Sequence, residues 1–338
     1  MNLITGATGL VGAHLILQLL QQNKPVAAIK RDGSDILKTK KLFSYYTSES
    51  ENLFNKIKWI EADVCDIYSL LDALQGIETV YHCAGFVSFN SKDNKQMHRI
   101  NAEGTANLVN ACLEKNIKAL CHVSSIATLQ NPDITININE SVYWKSSPLV
   151  SDYAISKYNG EREVWRGIEE GLSAVIVNPG IILGPGFWNQ SSGKLIEKCY
   201  QGIAFYTNGS SATIDARDVA TCMIQLTEKK EFNKRFILTE NNYSYKEVLL
   251  LLHNALGKKE PSIEAGKVLL TMGKWLDGIK SFFTNKEQLI TKETINTTLD
   301  NNSYDNKRVK DTLNYQFIPL KATIQFVCNT YLNDIKTN

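Results

Sequence analysis

Tyr153-Ala154-Ile155-Ser156-Lys157 sets a phenol and an ammonium four residues apart, hence on one face of a helix. A free phenol ionises near pH ~10 and neither releases nor reclaims a proton readily at neutrality. A cation one turn away favours the phenolate, so the spacing predicts Tyr153 as a general acid/base and Lys157 as the group that lowers its pKa. The same spacing is common on solvated helix faces. It gains weight from Ser124-Ser125, which ends the apolar run 119–123 where a hydroxyl can hydrogen-bond a substrate oxygen as carbonyl and alcohol interconvert. Ser125 is preferred to Ser124; the plain alternative for either is a loop cap.

A second cluster opens the chain. Thr5-Gly6-Ala7-Thr8-Gly9-Leu10-Val11-Gly12 lies between an apolar run at 2–5 and a helical pattern at 11–22. Gly6, Gly9 and Gly12 permit positive φ, close backbone approach to a pyrophosphate and tight helix-on-strand packing, while the helix N-terminus offers oriented N–H groups. Glycines alone are a weak signal, but strand, turn and helix in that order are the context a dinucleotide site demands, with Thr8, Leu10 and Val11 completing the cradle. The next apolar run ends in Lys30-Arg31-Asp32. A guanidinium there can grip a 2'-phosphate bidentately, which favours NADP. With both cations facing water instead, Asp32 is left to hold the ribose hydroxyls and NAD is the cofactor.

The elements that must hold these residues alternate. Apolar strands are expected at 2–5, 26–29, 57–60, 79–82, 119–123 and 174–177, and helices at 11–22, 68–74, 100–115 and 153–170. Continuous apolar strands between helices predict an α/β fold with a doubly wound parallel sheet covered on both faces. After Pro179 the rhythm breaks, and 180–187 is rich in Gly and Pro. The expected division is a dinucleotide domain at 1–178, with 212–240 packing back on it, and a smaller C-terminal substrate-binding region at 179–211 and 241–338.

The 37 Lys+Arg against 35 Asp+Glu leave a net charge of +2, which supplies no basic arm for nucleic acid, and 43% hydrophobic residues argue against disorder. The seven cysteines contain no CxxC pair and no His cluster accompanies them, so free thiols are expected rather than a metal site or disulfides. Residues 1–5 already read as a strand, leaving no room for a signal peptide. The apolar stretch 268–283 is broken by Lys274, Asp277 and Lys280, short of the ~20 apolar residues of a membrane span. A soluble, cytoplasmic protein is the expectation.

Further signatures stand between these clusters: Asp63-Val64, Tyr81-His82-Cys83-Ala84-Gly85, Asn101-Ala102-Glu103-Gly104-Thr105-Ala106-Asn107-Leu108, the run from Asn178 through Pro179, Gly180 and Ile182 to Gly186, and Arg217-Asp218-Val219-Ala220. With the glycine turn, Ser125, Tyr153 and Lys157, they resemble the extended short-chain dehydrogenase/reductase superfamily, the NAD-dependent epimerase/dehydratase family. The likeness is to its dihydroflavonol reductase and 3β-hydroxysteroid dehydrogenase-like branch and covers 1 to about 260. The resemblance implies a Rossmann domain in which Asp63 and Val64 contact the adenine, Cys83, Ala84 and Gly85 pass under the cofactor, and Asn101 holds that part of the site. It also implies that Pro179 and Gly180 flank the nicotinamide, with Ile182 among the cofactor contacts, that Arg31 matches the arginine of NADP-using relatives, and that Ser125 aligns with the catalytic hydroxyl. Relatives often pair through the helices at 100–115 and 153–170, which implies a homodimer.

Departures narrow the chemistry. Sugar-nucleotide dehydratases carry an acid pair after the catalytic hydroxyl, and Ile126-Ala127 cannot move protons; epimerases usually show Val-Tyr-Gly where Thr128-Leu129-Gln130 stands. Phe86, Val87, Phe89, Tyr143, Trp144, Phe187 and Trp188 fall in loops after strands and suit a hydrophobic or ring-containing small-molecule ketone better than a diphosphate. Some of them are expected to be ordinary packing residues. Val268, Leu269, Met272, Trp275, Leu276, Ile279 and Phe283 form a helical stripe that packs on the domain, covers the pocket as a lid, or lies on a membrane surface. The leading expectation is an NAD(P)-dependent oxidoreductase acting on a ketone or secondary alcohol. The alternatives are a nucleotide-sugar epimerase with tightly bound cofactor, and an NADP-binding sensor without chemistry.

Overall fold

Strand β1 (Asn2–Thr5) runs up the middle of a parallel sheet in a computed structural model that describes residues 1–131, 133–148, 150–271 and 292–337. In chain order follow β2 (Val26–Lys30), β3 (Lys58–Glu61), β4 (Thr79–His82), β5 (Ala119–Val123), β6 (Ala174–Pro179), β7 (Ile181–Leu183), β8 (Phe205–Tyr206), β9 (Ser210–Asp215), β10 (Lys234–Leu238) and β11 (Asn241–Ser244). Among the described residues, seven parallel strands form the main sheet in the order β10-β6-β5-β4-β1-β2-β3. The order reverses between β1 and β4, so connections leave to opposite faces there and a crevice opens at the carboxyl ends of both strands.

The helices of the main layer are α1 (Leu10–Gln21), α2 (Leu37–Ser44), α3 (Ser50–Asn55), α4 (Ile67–Ala73), α5 (Asn94–His98), α6 (Gly104–Glu114) and α7 (Asp152–Glu169). Further along are α8 (Ser191–Gln201), α9 (Ala216–Glu228), α10 (Tyr245–Ala255), α11 (Lys292–Leu299), α12 (Lys307–Leu313) and α13 (Leu320–Thr337). Successive strand residues bury opposite ways: Ile4, Ala28, Tyr81, Cys121 and Val175 join the core beneath α1, α9 and α12, while Leu3, Ala27, Val80, Leu120 and Ala174 join the core beneath α4, α6 and α7. Each such side chain contributes on the order of 1.5–3 kcal/mol if fully buried and large, which is why both faces of every central strand read as apolar.

Two polar residues interrupt that pattern. His82 and His122 stand opposite each other on β4 and β5, fully buried, with ring centroids 5.0 Å apart.

The region around 30–57, which carries no clear pattern in the sequence, holds α2 and α3. They are short and polar, with Thr39, Leu42, Phe43 and Leu53 their buried residues, too few for a readable stripe. The continuous helix expected at 100–115 is also corrected: Arg99–Glu103 is a π-helical turn, and α6 starts only at Gly104. A turn with an extra residue lets Asn101 point its amide at the backbone of Phe86, donating to its oxygen at 2.9 Å and accepting from its nitrogen at 2.8 Å.

Beyond the main sheet, β7 pairs parallel with β9, and β9 antiparallel with β11. Leu183, Ile196, Val248, Leu252, Ile324 and Val327 form a separate core among β7, α8, α10 and α13. Within 212–240, α9 lies on α1, where Gln18 Nε2 donates to the Arg217 carbonyl at 2.9 Å, and β10 closes the sheet beside β6. Val268 and Leu269 are exposed, and Met272, Trp275, Leu276, Ile279 and Phe283 of the apolar stripe lie outside the described residues. Among the described residues no helix is long and apolar enough to cross a membrane.

Candidate active site

The glycine turn is shaped by two close approaches. Gly6 has φ +65°, and a Cβ there would sit 2.5 Å from the backbone of Cys83 and Ala84; at Gly12 it would sit 2.3 Å from the Gly6 oxygen. No side chain could occupy either place, because both contacts are with backbone. Gly9 donates to the Gly6 oxygen at 3.0 Å and caps α1 without any side-chain hydrogen bond. The first-turn N–H groups of α1 are thus not claimed by a capping side chain, and the dipole there favours an anion. Thr8, Leu10 and Val11 are half-buried around the turn.

The end of β4 is wired to it. Thr5 Oγ1 accepts from Ala84 N at 3.1 Å and meets His82 Nδ1 at 2.7 Å, while His82 Nε2 meets Thr105 Oγ1 at 3.0 Å. A side-chain carbon at Gly85 would lie 3.4 Å from Asn101 Oδ1 and 3.8 Å from Lys157 Nζ, so Gly85, Asn101 and Lys157 converge. Asp63 is half-buried and accepts from Cys65 N at 2.9 Å, and the Val64 oxygen accepts from Asn107 Nδ2 at 3.1 Å. Arg31 is exposed just past β2 and has no acidic partner among the described residues, whereas Lys30 lies 3.7 Å from Glu61. Pro179, Gly180 and Ile182 are placed by neighbouring strands: Gly180 N donates to the Leu238 oxygen at 3.0 Å, and Ile182 packs on the core under α1. Pro179 pairs with Leu238 of β10 and Ile182 with Ile214 of β9.

Helix α7 carries the phenol and the amine. Ser151 caps it by accepting from Ala154 N at 3.2 Å, and Asn101 Nδ2 donates to Ser156 Oγ at 3.0 Å, fixing the helix against the π-helical turn. The Ser125 hydroxyl accepts from Ala127 N at 3.1 Å and lies near enough to the Tyr153 phenol to lower its pKa, and the Tyr153 ring meets Phe89 edge-on at 5.9 Å. Ser124 turns the other way and donates to Glu161 Oε2 at 2.5 Å, so of the two serines only Ser125 faces the phenol.

The tuning differs from the simple sequence picture. Lys157 is buried and spends a hydrogen bond on the Val123 oxygen at 2.9 Å. Burial pushes the Tyr153 phenol up from its ordinary value, and it is the Ser125 hydroxyl, not the amine, that opposes the shift. Burial pulls Lys157 down to about 8, with Glu161 and Cys83 holding it up. Desolvation outweighs a neighbouring charge in a pocket this dry.

The aromatic pocket read from the loops is not assembled. Phe89 adjoins Tyr153, but Trp144 stacks on Tyr158 at 4.2 Å, Tyr143 is exposed, Phe187 is core, and Trp188 donates to Asp334 Oδ2 at 2.7 Å. Loop position says where a side chain starts, not which way it turns.

The sequence motifs include Thr5, His82, Thr128 and Asn178 without assigning them a role, and they leave out Glu161 and Arg235. One of them carries a legible signal: Glu161 follows Lys157 by four residues and Tyr153 by eight, on the same helix face.

Residues 2–238 match the model of the family described as NAD dependent epimerase/dehydratase. The chain belongs to that family. A putative dihydroflavonol 4-reductase of Synechocystis sp. is 30% identical, over 76% of this chain and 73% of its own length. Sterol demethylase protein B of Methylococcus capsulatus is 27% identical, over 78% of this chain and 76% of its own. The crystal structure of gox2253 superimposes with a TM-score of 0.81 at 24% identity, over 99% of this chain and 98% of that one, which is a likeness of fold. This family member is an enzyme of the oxidoreductase class built on a Rossmann sheet.

Proposed function

We propose that this enzyme reduces the carbonyl of a hydrophobic or ring-containing small molecule, or oxidises the matching secondary alcohol, with NADP(H). What supports the reading is the Ser125 hydroxyl near enough to the Tyr153 phenol to lower its pKa, with the buried Lys157 one helical turn further along α7. The dinucleotide, when bound, supplies or takes the hydride. Tyr153 then acts as general acid in reduction: its raised pKa keeps the phenol protonated at neutrality, the form that can give a proton to a developing alkoxide. Ser125 Oγ polarises the same substrate oxygen. Lys157, still mostly charged at pH 7, holds the ribose and presents positive charge to the phenol as it ionises.

The cofactor side fits the residues present. Gly6 and Gly12 let the turn pack on the backbone of Cys83, Ala84 and Gly6 itself, and the α1 N-terminus, uncapped by any side chain, offers its N–H groups to an anion such as a pyrophosphate. Asp63 and Val64 would hold the adenine, Cys83, Ala84, Gly85 and Asn101 the middle of the molecule, and Pro179, Gly180 and Ile182 its nicotinamide end. The unpaired Arg31 favours NADP over NAD. We assign 1–178 with 212–240 to the cofactor, and 179–211 with 241–338 to the substrate. The Phe89 ring against Tyr153 and the buried Ile126 beside Ser125 offer an apolar wall.

The test is a panel of ketones and alcohols with NADPH and NADH side by side, on the wild type and on Tyr153→Phe. Turnover visible in the nicotinamide absorbance, lost by at least ~1,000-fold in the variant with cofactor affinity unchanged, is expected. Near-normal turnover by Tyr153→Phe would refute the assignment. Conversion of a nucleotide sugar with no net absorbance change would favour an epimerase instead.

A further inference from the structure

The carboxylate of Glu161 has no part in the chemistry above, yet it is 1% exposed and among the most heavily hydrogen-bonded groups in the protein. Its Oε2 accepts from Ser124 Oγ at 2.5 Å, Thr128 Oγ1 at 2.7 Å and Asn178 Nδ2 at 2.8 Å. Its Oε1 accepts from Arg235 Nη1 at 3.1 Å and Trp165 Nε1 at 3.2 Å. A buried carboxylate is tolerated only when its lone pairs are used, and these five donors use them.

The donors lead back to the site. Thr128 has one hydroxyl proton and two acceptors in reach, Glu161 at 2.7 Å and the Ser125 carbonyl at 2.9 Å; the ionised acceptor takes it. The Ser125 carbonyl is then held by Asn178 Nδ2 at 3.1 Å, an amide that Glu161 itself orients. Lys157 meanwhile donates to the Val123 carbonyl at 2.9 Å. Residues 123–125 are therefore tied, directly or through one intermediary, to two side chains a single turn apart on α7.

We propose that Glu161 is a positioning residue for this site: it fixes the turn that presents the Ser125 hydroxyl and stands as the counter-charge to Lys157. The inference rests on the reading of Ser125, Tyr153 and Lys157 given above. The groups acting on Lys157 are Glu161 on its own helix, His82 from β4, Cys83 just past it and His122 from β5, both histidines being driven toward the neutral form by burial. Arg235 faces Glu161 from β10, and its remaining hydrogen bonds go to the Glu140 and Val142 carbonyls at 2.9 and 2.5 Å. Glu161 is thus the carboxylate opposing the burial that already pulls Lys157 to about 8. Without that charge the Lys157 value falls further.

The experiment uses the full chain. For wild type, kcat/KM for NADPH-dependent reduction is expected to fall on an alkaline limb near pH 8, the Lys157 value. In Glu161→Gln the limb moves down by roughly one pH unit or more, and Glu161→Asp, which keeps the charge, moves it back. A limb that does not move in Glu161→Gln, whether or not the rate falls at every pH, removes the counter-charge role and overturns the proposal. Should Glu161→Gln fail to fold because Arg235 is left alone, the pair Glu161→Gln/Arg235→Gln removes both charges and is expected to show the same displacement. NMR titration of the Lys157 side chain in the ligand-free protein gives a second readout, independent of turnover. A titration that shifts while Tyr153→Phe remains active upholds the Glu161–Lys157 coupling and removes the catalytic reading. A titration that does not shift while Tyr153→Phe is dead overturns the role of Glu161 and leaves the reading standing.

Discussion

Lowering the pH from 7 to 5 is expected to cost this protein about 3 kcal/mol of stability, through histidines that the fold keeps neutral. His14 is buried on α1 with Nδ1 on the Leu10 carbonyl at 2.7 Å and Nε2 on the Tyr46 hydroxyl at 2.8 Å, and desolvation pulls its pKa to about 4 against the Leu10 hydrogen bond and the charge of Asp215. His82 is pulled by burial to about 3. His122 shifts the same way, and neither of its ring nitrogens has a hydrogen-bond partner among the described residues. Each group is neutral when folded, while the unfolded chain takes up a proton below the model value of 6.5, so the unfolded state binds more protons and stability falls as pH drops. At pH 5 each histidine with a folded pKa below 5 costs about 2 kcal/mol whatever its folded value, and His14 and His82 together cost about 4.

Asp218 works in the opposite sense. Burial raises it to about 6, so its folded form gains a proton on the same descent. That returns about 1 kcal/mol, leaving the net near 3 before any share from His122. Urea unfolding followed by circular dichroism at pH 7 and pH 5 reads the difference as a lower midpoint, and His82→Gln is expected to shrink the drop by about 2 kcal/mol. Equal midpoints at the two pH values, or a drop undiminished by His82→Gln, would refute the reasoning. The window stops at pH 5 because carboxylates such as Glu78 and Glu247, held below their ordinary value by hydrogen bonds, lose their contribution at lower pH.

Arg31→Ala is expected to raise the KM for NADPH by roughly tenfold to a hundredfold, the worth of a charged hydrogen bond, while leaving that for NADH near wild type; steady-state kinetics with both cofactors checks it. Asp334→Ala removes the acceptor shared by the Tyr45 hydroxyl and Trp188 Nε1, together with the Lys41 ammonium at 3.2 Å, and is expected to destabilise the fold by about 2–3 kcal/mol in urea titration. With Tyr45 and Asp334 at opposite ends of the chain, the loss should appear as earlier proteolysis of α13 before global unfolding.

Features written in neighbouring residues were legible without coordinates. The glycine turn needs only a strand before it and a helix after it, the parallel sheet shows as apolar runs because both of its faces are covered, and Tyr153 and Lys157 share a face through the period of a helix. What the tertiary structure alone decided depends on distance and burial between remote residues. The binding of Ser124 to Glu161, which leaves Ser125, already preferred in the sequence, beside the phenol, and the upward shift of that phenol by burial follow from contacts between remote residues. The π-helical turn at Asn101, the scattering of the aromatic residues and the gathering of Ser124, Thr128, Asn178 and Arg235 around one carboxylate belong to the same class. A sequence carries local periodicity directly, but the energy of a charge or hydroxyl is set by how much water is removed from it, and only the packed chain determines that.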